Sequence, residues 1–173
     1  MKINQKIKVT GIMILTMVFT FFIVSCRRAS EKTGEKMIEK AIENATGQKA
    51  DVDLSSGKAV FETGEGKMEV DSEAKSWPDD IPDDVPEFTF GKVKGVTTST
   101  MNDTKTWNVM YEEVQDGFID QYDALLKEKG FETVIMKMGD KGGSIQAEND
   151  KYNVFLMGGE ETLSVGVSLK KPE

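Results

Sequence analysis

The stretch "TLSVGVSLK", from Thr162 to Lys170, alternates apolar residues with small or polar ones. In an extended chain the two sets lie on opposite sides: Leu163, Val165, Val167 and Leu169 against Ser164, Gly166, Ser168 and Lys170. Such alternation predicts a strand with one buried side and one solvated side, which is typical of an antiparallel sheet. We therefore expect an antiparallel sheet to dominate the end of the chain.

The same alternation occurs in several other segments, and two further segments have the period of an amphipathic helix. One helix is expected from a cap at Thr33 to about Ala45, with Gly47 ending it, and a second over 116–129. Strands are expected as three short segments between 50 and 70, and then over 92–101, 106–112, 131–138, 144–148, 152–157 and 162–170. The fold class is therefore α+β: an antiparallel β-sheet with two helices.

Both halves of the chain place a helix before successive hairpins. The segment "AVFETGEGKMEV" loosely resembles "SIQAENDKYNVF" around its turn. Diverged duplication and independent origin both account for this similarity, since hairpins share turn residues without common ancestry. One domain, or two small domains packed together, is expected.

The first 28 residues have the order of a secretory signal. Three lysines (Lys2, Lys6 and Lys8) precede a run of 17 uncharged residues, 9–25, and "CRR" follows at 26–28. Cys26 is the only cysteine of the chain. Beyond it the composition becomes charged and polar.

The segment "IVSC" resembles the lipobox of bacterial lipoprotein precursors, with apolar Ile23 and Val24, small Ser25 and the nucleophile Cys26. The resemblance implies that the sulfur of Cys26 takes a diacylglyceryl group and that a peptidase cuts after Ser25. A further acyl chain, such as palmitate, can then be added to the new N-terminus. Each buried methylene adds about 0.8 kcal/mol of membrane affinity, so two or more chains anchor a protein stably.

Two other interpretations of this region stay open. Cys26 could be an ordinary cysteine in an apolar run, or residues 9–25 could be an uncleaved anchor, at the lower edge of the roughly 17–25 residues that a span needs. The lipoprotein interpretation predicts a lipoprotein signal peptide before the α+β body. The body is then exported and lipid-anchored at a bacterial cell membrane or outer membrane.

Composition excludes several classes of function. Without residues 1–25 the chain has 19 basic and 30 acidic side chains, a net charge of about −11, which phosphate backbones would repel; no nucleic acid partner is expected. The chain has no histidine, and therefore no Ser-His-Asp triad and none of the commonest zinc ligand. With Cys26 lipidated, no thiol remains. We expect no cofactor and no enzymatic activity.

The segment "SWPDDIPDDVPEF", 76–88, holds three of the four prolines and cannot be a helix, so we expect an extended connector. Its acidic residues, Asp79, Asp80, Asp83 and Asp84 with Glu87, are weak calcium candidates. They lack the alternating spacing and the glycine of a calcium loop, so a solvated linker is the favoured interpretation. Trp77 and Phe88 bracket the segment, either as a ligand clamp or as anchors that pin the connector to the body.

Five methionines raise the question of a soft metal site. Met136 and Met138 lie two apart on an expected strand, and Met101, Met110 and Met157 could join them as ligands for Cu(I). Two residues on one side of a strand are also what a hydrophobic core needs. The core interpretation is favoured, and no metal is expected.

These features divide the chain into five parts. They are a signal peptide (1–25), a lipidated tether (26–32), a helix with a three-stranded subdomain (33–75), the Pro-rich acidic connector (76–90) and a domain of β-β-α-β-β-β type (91–173). The combination of lipobox, helix, "WPDDIPDDVPEF" and this tail resembles a set of small uncharacterised bacterial envelope lipoproteins.

The resulting hypothesis is a lipid-anchored, non-catalytic binding module. Its partners would be the membrane, through the lipid on Cys26, and an unknown envelope protein or component. The alternatives are a small carboxylate-dependent hydrolase and a lipoprotein that binds a small molecule or metal.

Overall fold

The computed structural model describes residues 31–47, 49–63, 66–139, 142–159 and 161–170. The expected signal peptide, its cleavage flank Ile23, Val24 and Ser25, and Cys26 lie outside these ranges. The described elements are α1 (Glu31–Thr46), β1 (Lys49–Asp53), β2 (Lys58–Thr63), β3 (Gly66–Asp71), β4 (Lys92–Met101), β5 (Thr104–Glu112), α2 (Phe118–Glu128), β6 (Glu132–Lys137), β7 (Gly142–Glu148), β8 (Tyr152–Gly159) and β9 (Thr162–Leu169).

All nine described strands belong to one antiparallel sheet in the order β1-β2-β3-β4-β5-β9-β8-β7-β6. Strands β1 to β5 form one series of hairpins, and β6 to β9 form a second one that ends beside β5. The expected antiparallel sheet with two helices is confirmed for the described residues, although the sheet dominates. Four strands follow α2, one more than in the β-β-α-β-β-β pattern of the resemblance.

Helix α1 ends where the sequence predicts but begins earlier. Its first residue is Glu31, so Thr33 lies inside the helix and not at its cap. Gly47 follows the helix with a φ of 70°, and its N–H donates to the carbonyl of Glu43 at 2.8 Å. A left-handed φ costs glycine little, which makes this residue an effective helix end.

The main core lies on one side of β5, β7, β8 and β9, here called the inner side. Its strand residues are Trp107, Val109, Tyr111, Ile145, Ala147, Tyr152, Val154, Leu156, Leu163, Val165 and Val167, and α2 adds Phe118, Ile119, Tyr122 and Leu126. Helix α2 packs directly on the sheet at Gly143, where a Cβ atom would lie 2.4 Å from Cδ1 of Ile119. The alternation predicted for β9 is therefore confirmed.

The buried apolar side chains lie on the inner side of the sheet at β5 but on the opposite side at β1. Cross-strand partners in an antiparallel pair share a side, and the register joins Val52 through Ala59, Val70 and Thr97 to Asn108. Asn108 lies on the opposite side from its neighbour Trp107. Helix α1 packs against β1, where Val52 is buried. The two described helices therefore cover opposite sides of the sheet.

The segment between β3 and β4 is not the extended, solvated connector expected from its prolines. The N–H of Ile81 donates to the carbonyl of Pro78 at 3.2 Å, and the N–H of Val85 donates to that of Pro82 at 2.9 Å, so two turns follow one another. Their aspartates are exposed, whereas Ile81, Val85 and Phe88 are buried in the main core. The segment serves as part of the layer that covers the sheet.

Phe88 is the centre of an aromatic cluster in this layer. Its ring meets those of Phe90, Tyr111, Phe118 and Tyr122 edge to face, at centroid distances from 4.7 to 6.1 Å. Such geometry adds about 0.5–1.5 kcal/mol for each pair beyond the burial of area. The segment and α2 are thereby joined into one layer.

Two tyrosines of this cluster differ in their hydrogen bonding. The hydroxyl of Tyr122 donates to the carbonyl of Pro86 at 2.9 Å, whereas the buried hydroxyl of Tyr111 has no hydrogen-bond partner among the described residues. Burial raises the pKa of both side chains, so both stay neutral near pH 7. A buried hydroxyl without a partner costs about 1–3 kcal/mol.

We expect Tyr111→Phe to raise the free energy of unfolding by about 1 kcal/mol, because it removes that unsatisfied hydroxyl. The matched change Tyr122→Phe should lower the free energy of unfolding by about 1 kcal/mol, because it leaves the Pro86 carbonyl without its donor. Urea denaturation of the two variants and the wild type measures both effects. Equal destabilisation by the two changes would contradict this assignment.

Candidate functional site

Two adjacent rows of residues on the outer side of β5 to β9 form a surface that we call the open face. The register gives its residues: Asn108, Met110, Val134, Met136, Ser144, Gln146, Phe155, Met157, Ser164 and Gly166. None of these ten residues is buried. Val134 and Met136 are 69% and 65% exposed, and Phe155 and Met157 are 44% and 51% exposed. Large apolar side chains are thus concentrated on a solvated sheet surface.

The two rows of the open face carry no charge, and the charged residues on this side of β5 to β9, Glu112, Glu132 and Glu148, lie beside them. Charged residues make up 30% of the chain, yet none of the ten positions is Asp, Glu, Lys or Arg. Its polar groups are neutral, and two of them pair with each other: the Ser164 hydroxyl donates to Oδ1 of Asn108 at 3.0 Å. An uncharged apolar patch on an acidic protein is typical of a surface that another molecule covers.

Large and small residues alternate across the strands in one of the two rows of the open face. One row across the sheet consists of Met136, Ser144, Met157, Ser164 and Met110. In the neighbouring row, Phe155 lies opposite Gly166, where a Cβ atom would make only ordinary contacts at 3.6 Å or more. The backbone therefore does not require a glycine there, and its lack of a side chain leaves space beside Phe155.

The core interpretation of Met136 and Met138 is wrong. Both side chains are exposed, as is that of Met157. The thioethers of the row also lie on alternate strands, so their Cα atoms are about 10 Å apart. This spacing spreads the sulfur atoms along the face and does not gather them around one ion, so copper is not proposed.

The calcium candidates are partly engaged in other contacts. Asp80 accepts hydrogen bonds from Nζ of Lys105 and, at 3.1 Å, from Nε1 of Trp107. Asp84 pairs with Lys151 at 3.1 Å. Asp79 and Asp83 are exposed. In the described ranges, no cluster of three or more His, Cys, Asp or Glu side chains has the geometry to hold a metal ion.

The two candidate ligand-binding aromatics occupy different environments. Phe88 is 1% exposed, so its ring is not accessible to a ligand. Trp77 is half-buried against the main core. The two residues therefore do not form an open clamp.

Asp80 and Asp123 both have lowered pKa values. Burial alone would raise the pKa of Asp80, but the hydrogen bonds from Lys105 and Trp107 outweigh it. Burial would likewise raise the pKa of Asp123, but the hydrogen bonds from Lys127 and Thr133 lower it by more. Both carboxylates hold elements together, Asp80 fixing the turn segment to β5 and Asp123 fixing α2 to β6.

A shallow groove between α1 and β1 is a weaker candidate. Its lining carries charges of both signs: Lys36, Glu39, Lys40, Glu43 and Lys49, beside Ala50. One carboxylate, that of Glu39, already accepts the N–H of Val52 at 3.2 Å. The large apolar side chains of the open face remain exposed, which makes it the better candidate.

No protein-family model, curated protein or solved structure matches the chain. Its function has to be argued from its own residues. Of the two described helices, neither is long and apolar enough to cross a membrane.

The Asp80 contacts predict a specific pH dependence. Because the folded pKa lies below the ordinary 3.8, the stabilisation by this carboxylate is present above pH 3.8 and is lost as the pH falls through the folded pKa. Asp80→Asn should lower the free energy of unfolding by about 0.5–1 kcal/mol at pH 7, and this difference should shrink below pH 4. Urea denaturation at several pH values measures it.

Asp79→Asn is the matched control, because it removes the same charge from the exposed neighbouring residue. An effect of Asp79→Asn equal to that of Asp80→Asn would assign the change to overall charge and not to the Lys105 and Trp107 contacts.

Proposed function

We propose that this protein is an exported bacterial envelope lipoprotein, held at the membrane by a lipid on Cys26, whose open face binds a partner protein. The anchor rests on the order of lysines, apolar run and "IVSC" in the first 28 residues. The binding function rests on one observation, the ten uncharged positions on an uncovered sheet surface.

The composition of the open face favours a protein over a small molecule. Small-molecule sites are concave and enclose most of their ligand, whereas the open face is the broad surface of five adjacent strands. Its three methionines are flexible and polarisable, so they can adapt to the side chains of a partner. Burying their apolar area contributes about 25 cal/mol per Å².

Charge supports the same conclusion. In the proposed exported form, residues 26–173, the chain has a net charge of about −11, and a partner bound to its acidic surface would have to neutralise that charge. The open face lets an uncharged apolar surface bind without placing a carboxylate out of water. The partner chemistry that fits is therefore an apolar surface on another envelope protein.

The binding proposal is tested by site-specific photocrosslinking in the native cell. A photoreactive phenylalanine analogue at position 155 should give a discrete crosslinked species, because Phe155 lies in the middle of the open face. Met157→Asp on the neighbouring position should reduce its yield at least about tenfold, since it places a charge in an apolar contact.

Gln121 supplies the matched controls. This residue is exposed on α2, on the other side of the sheet. The analogue at position 121 should not give the same species, and Gln121→Asp should leave the yield from position 155 unchanged. Identical species from positions 121 and 155, or none from 155, would refute binding through the open face.

The lipid anchor has a separate test. Cys26→Ser should leave an uncut precursor and abolish labelling by a fatty-acid probe, because serine lacks the nucleophilic sulfur. Gel mobility and probe fluorescence in the native host measure both effects. Processing and labelling like the wild type would show that "IVSC" is not a lipobox.

A further inference from the structure

The two edge strands of the sheet, β1 and β6, differ in whether their outward backbone groups already have hydrogen-bond partners. At the β1 edge, side chains of α1 accept backbone N–H groups: Oε1 of Glu39 accepts that of Val52 at 3.2 Å, and Oε1 of Glu35 accepts that of Leu54 at 3.1 Å. These carboxylates occupy donors that another strand would need. The β1 edge is therefore closed to pairing.

The β6 edge keeps its donors and acceptors. Strand β6 pairs with β7, and no other described strand pairs with it. The N–H of Met138 donates to the carbonyl of Gly142 at 2.9 Å, in the register of this pair. Because backbone groups alternate along an antiparallel strand, those of Thr133, Ile135 and Lys137 point away from β7.

Proteins commonly protect a free edge with proline, with a bulge or with a charged side chain. Strand β6, "ETVIMK", contains no proline, and its register with β7 is unbroken. Its charged residues lie at its two ends: Glu132 is the first residue, and the Lys137 side chain is bound to Asp120 of α2 at 2.7 Å, so it is drawn toward the helix. The edge is thus open to another strand.

We infer that two copies of this chain pair through β6, antiparallel and around a two-fold axis at Ile135. In this register Thr133 lies opposite Lys137 of the second copy, and Ile135 lies opposite itself. The outward backbone groups of all three residues are then satisfied, in about six hydrogen bonds. A two-fold axis requires such self-complementarity.

The same register continues the open face. Residues that oppose each other share a side, so Val134 lies opposite Met136 of the second copy. These are the two most exposed apolar residues of the face, and each then gains an apolar neighbour. The inference goes beyond the proposed function and does not depend on it, because it uses the strand edge and not the face.

The side of α2 above β6 has charges that are complementary to those of the same surface on a second copy. It carries two ion pairs, Asp120 with Lys137 and Asp123 with Lys127 at 2.9 Å, whose charges cancel. Asp123 also accepts the Thr133 hydroxyl, so it lies above the beginning of β6. Asp120 is paired with Lys137, so it lies above the end of β6. The two-fold axis exchanges these ends, and Lys127 of one copy then faces Asp120 of the other.

The experiment is disulfide trapping of the full-length chain in the membranes of its own cell. Opposed residues in a hydrogen-bonded pair have Cα atoms about 5.5 Å apart, which a disulfide can span. Ile135→Cys should therefore yield, under mild oxidation, a species of twice the monomer mass on a non-reducing gel. The wild type, which contains Cys26, gives the background.

Two further cysteine variants define the contact. Phe155→Cys, exposed two strands away from β6, should give no more dimer than the wild type. Val134→Cys should give several-fold less than Ile135→Cys, because Val134 does not oppose itself. Dimer from Ile135→Cys at the level of Phe155→Cys, or below that of Val134→Cys, would overturn the inference.

A proline provides a second test that needs no change at Ile135. Because the N–H of Lys137 points away from β7, Lys137→Pro removes a donor from the contact and none from the β6–β7 pair. Native mass measurement in mild detergent should show a dimer for the wild type and for Lys137→Ala, and a monomer for Lys137→Pro. A monomeric wild type, or a dimeric Lys137→Pro, would refute pairing through β6.

Discussion

Without the pairing of β5 with β9, the strands of this protein would form two separate sheets. Each of the two series of hairpins forms from neighbouring segments, and this single ladder joins them into one sheet. Its inner pairs, Trp107 with Val167, Val109 with Val165 and Tyr111 with Leu163, are all buried in the main core. The partners are more than 50 residues apart, so the entropy of closing the loop has to be offset by this burial.

The sequence alone predicts the helices and strands, but it does not predict which side of the sheet each strand buries. Alternation in β9 gives a strand with an apolar side, and Gly47 gives the end of α1, because both signals are local. Which side of the sheet a strand turns inward is a property of the register. The reversal between Val52 and Trp107 therefore has no local signal, and the opposite placement of the two helices could not be predicted.

The candidate site shows the same limit. In β8, "YNVFLM", and in β6, "ETVIMK", apolar residues occur on both sides, and this excess over simple alternation is a signal that could have identified the open face. For the acidic turns, the decisive contacts come from far along the chain: Lys105 is 25 residues from Asp80, and Lys151 is 67 residues from Asp84. Charge spacing within the segment carries no information about such partners.

The position of α1 at the opposite edge from β6 has a geometric consequence for a tethered protein. Strands lie about 4.8 Å apart, so β6 is about 38 Å across the sheet from β1, beside which the chain enters from its N-terminal side. Two copies joined at β6 would carry their tethers at the far ends of one continuous ribbon about 80 Å long. If the proposed lipids on Cys26 held both tethers in one leaflet, both ends of this ribbon would have to stay within reach of the bilayer. Because each strand is rotated by roughly 20–25° from its neighbour, neither side of so wide a sheet would face the bilayer along its whole length.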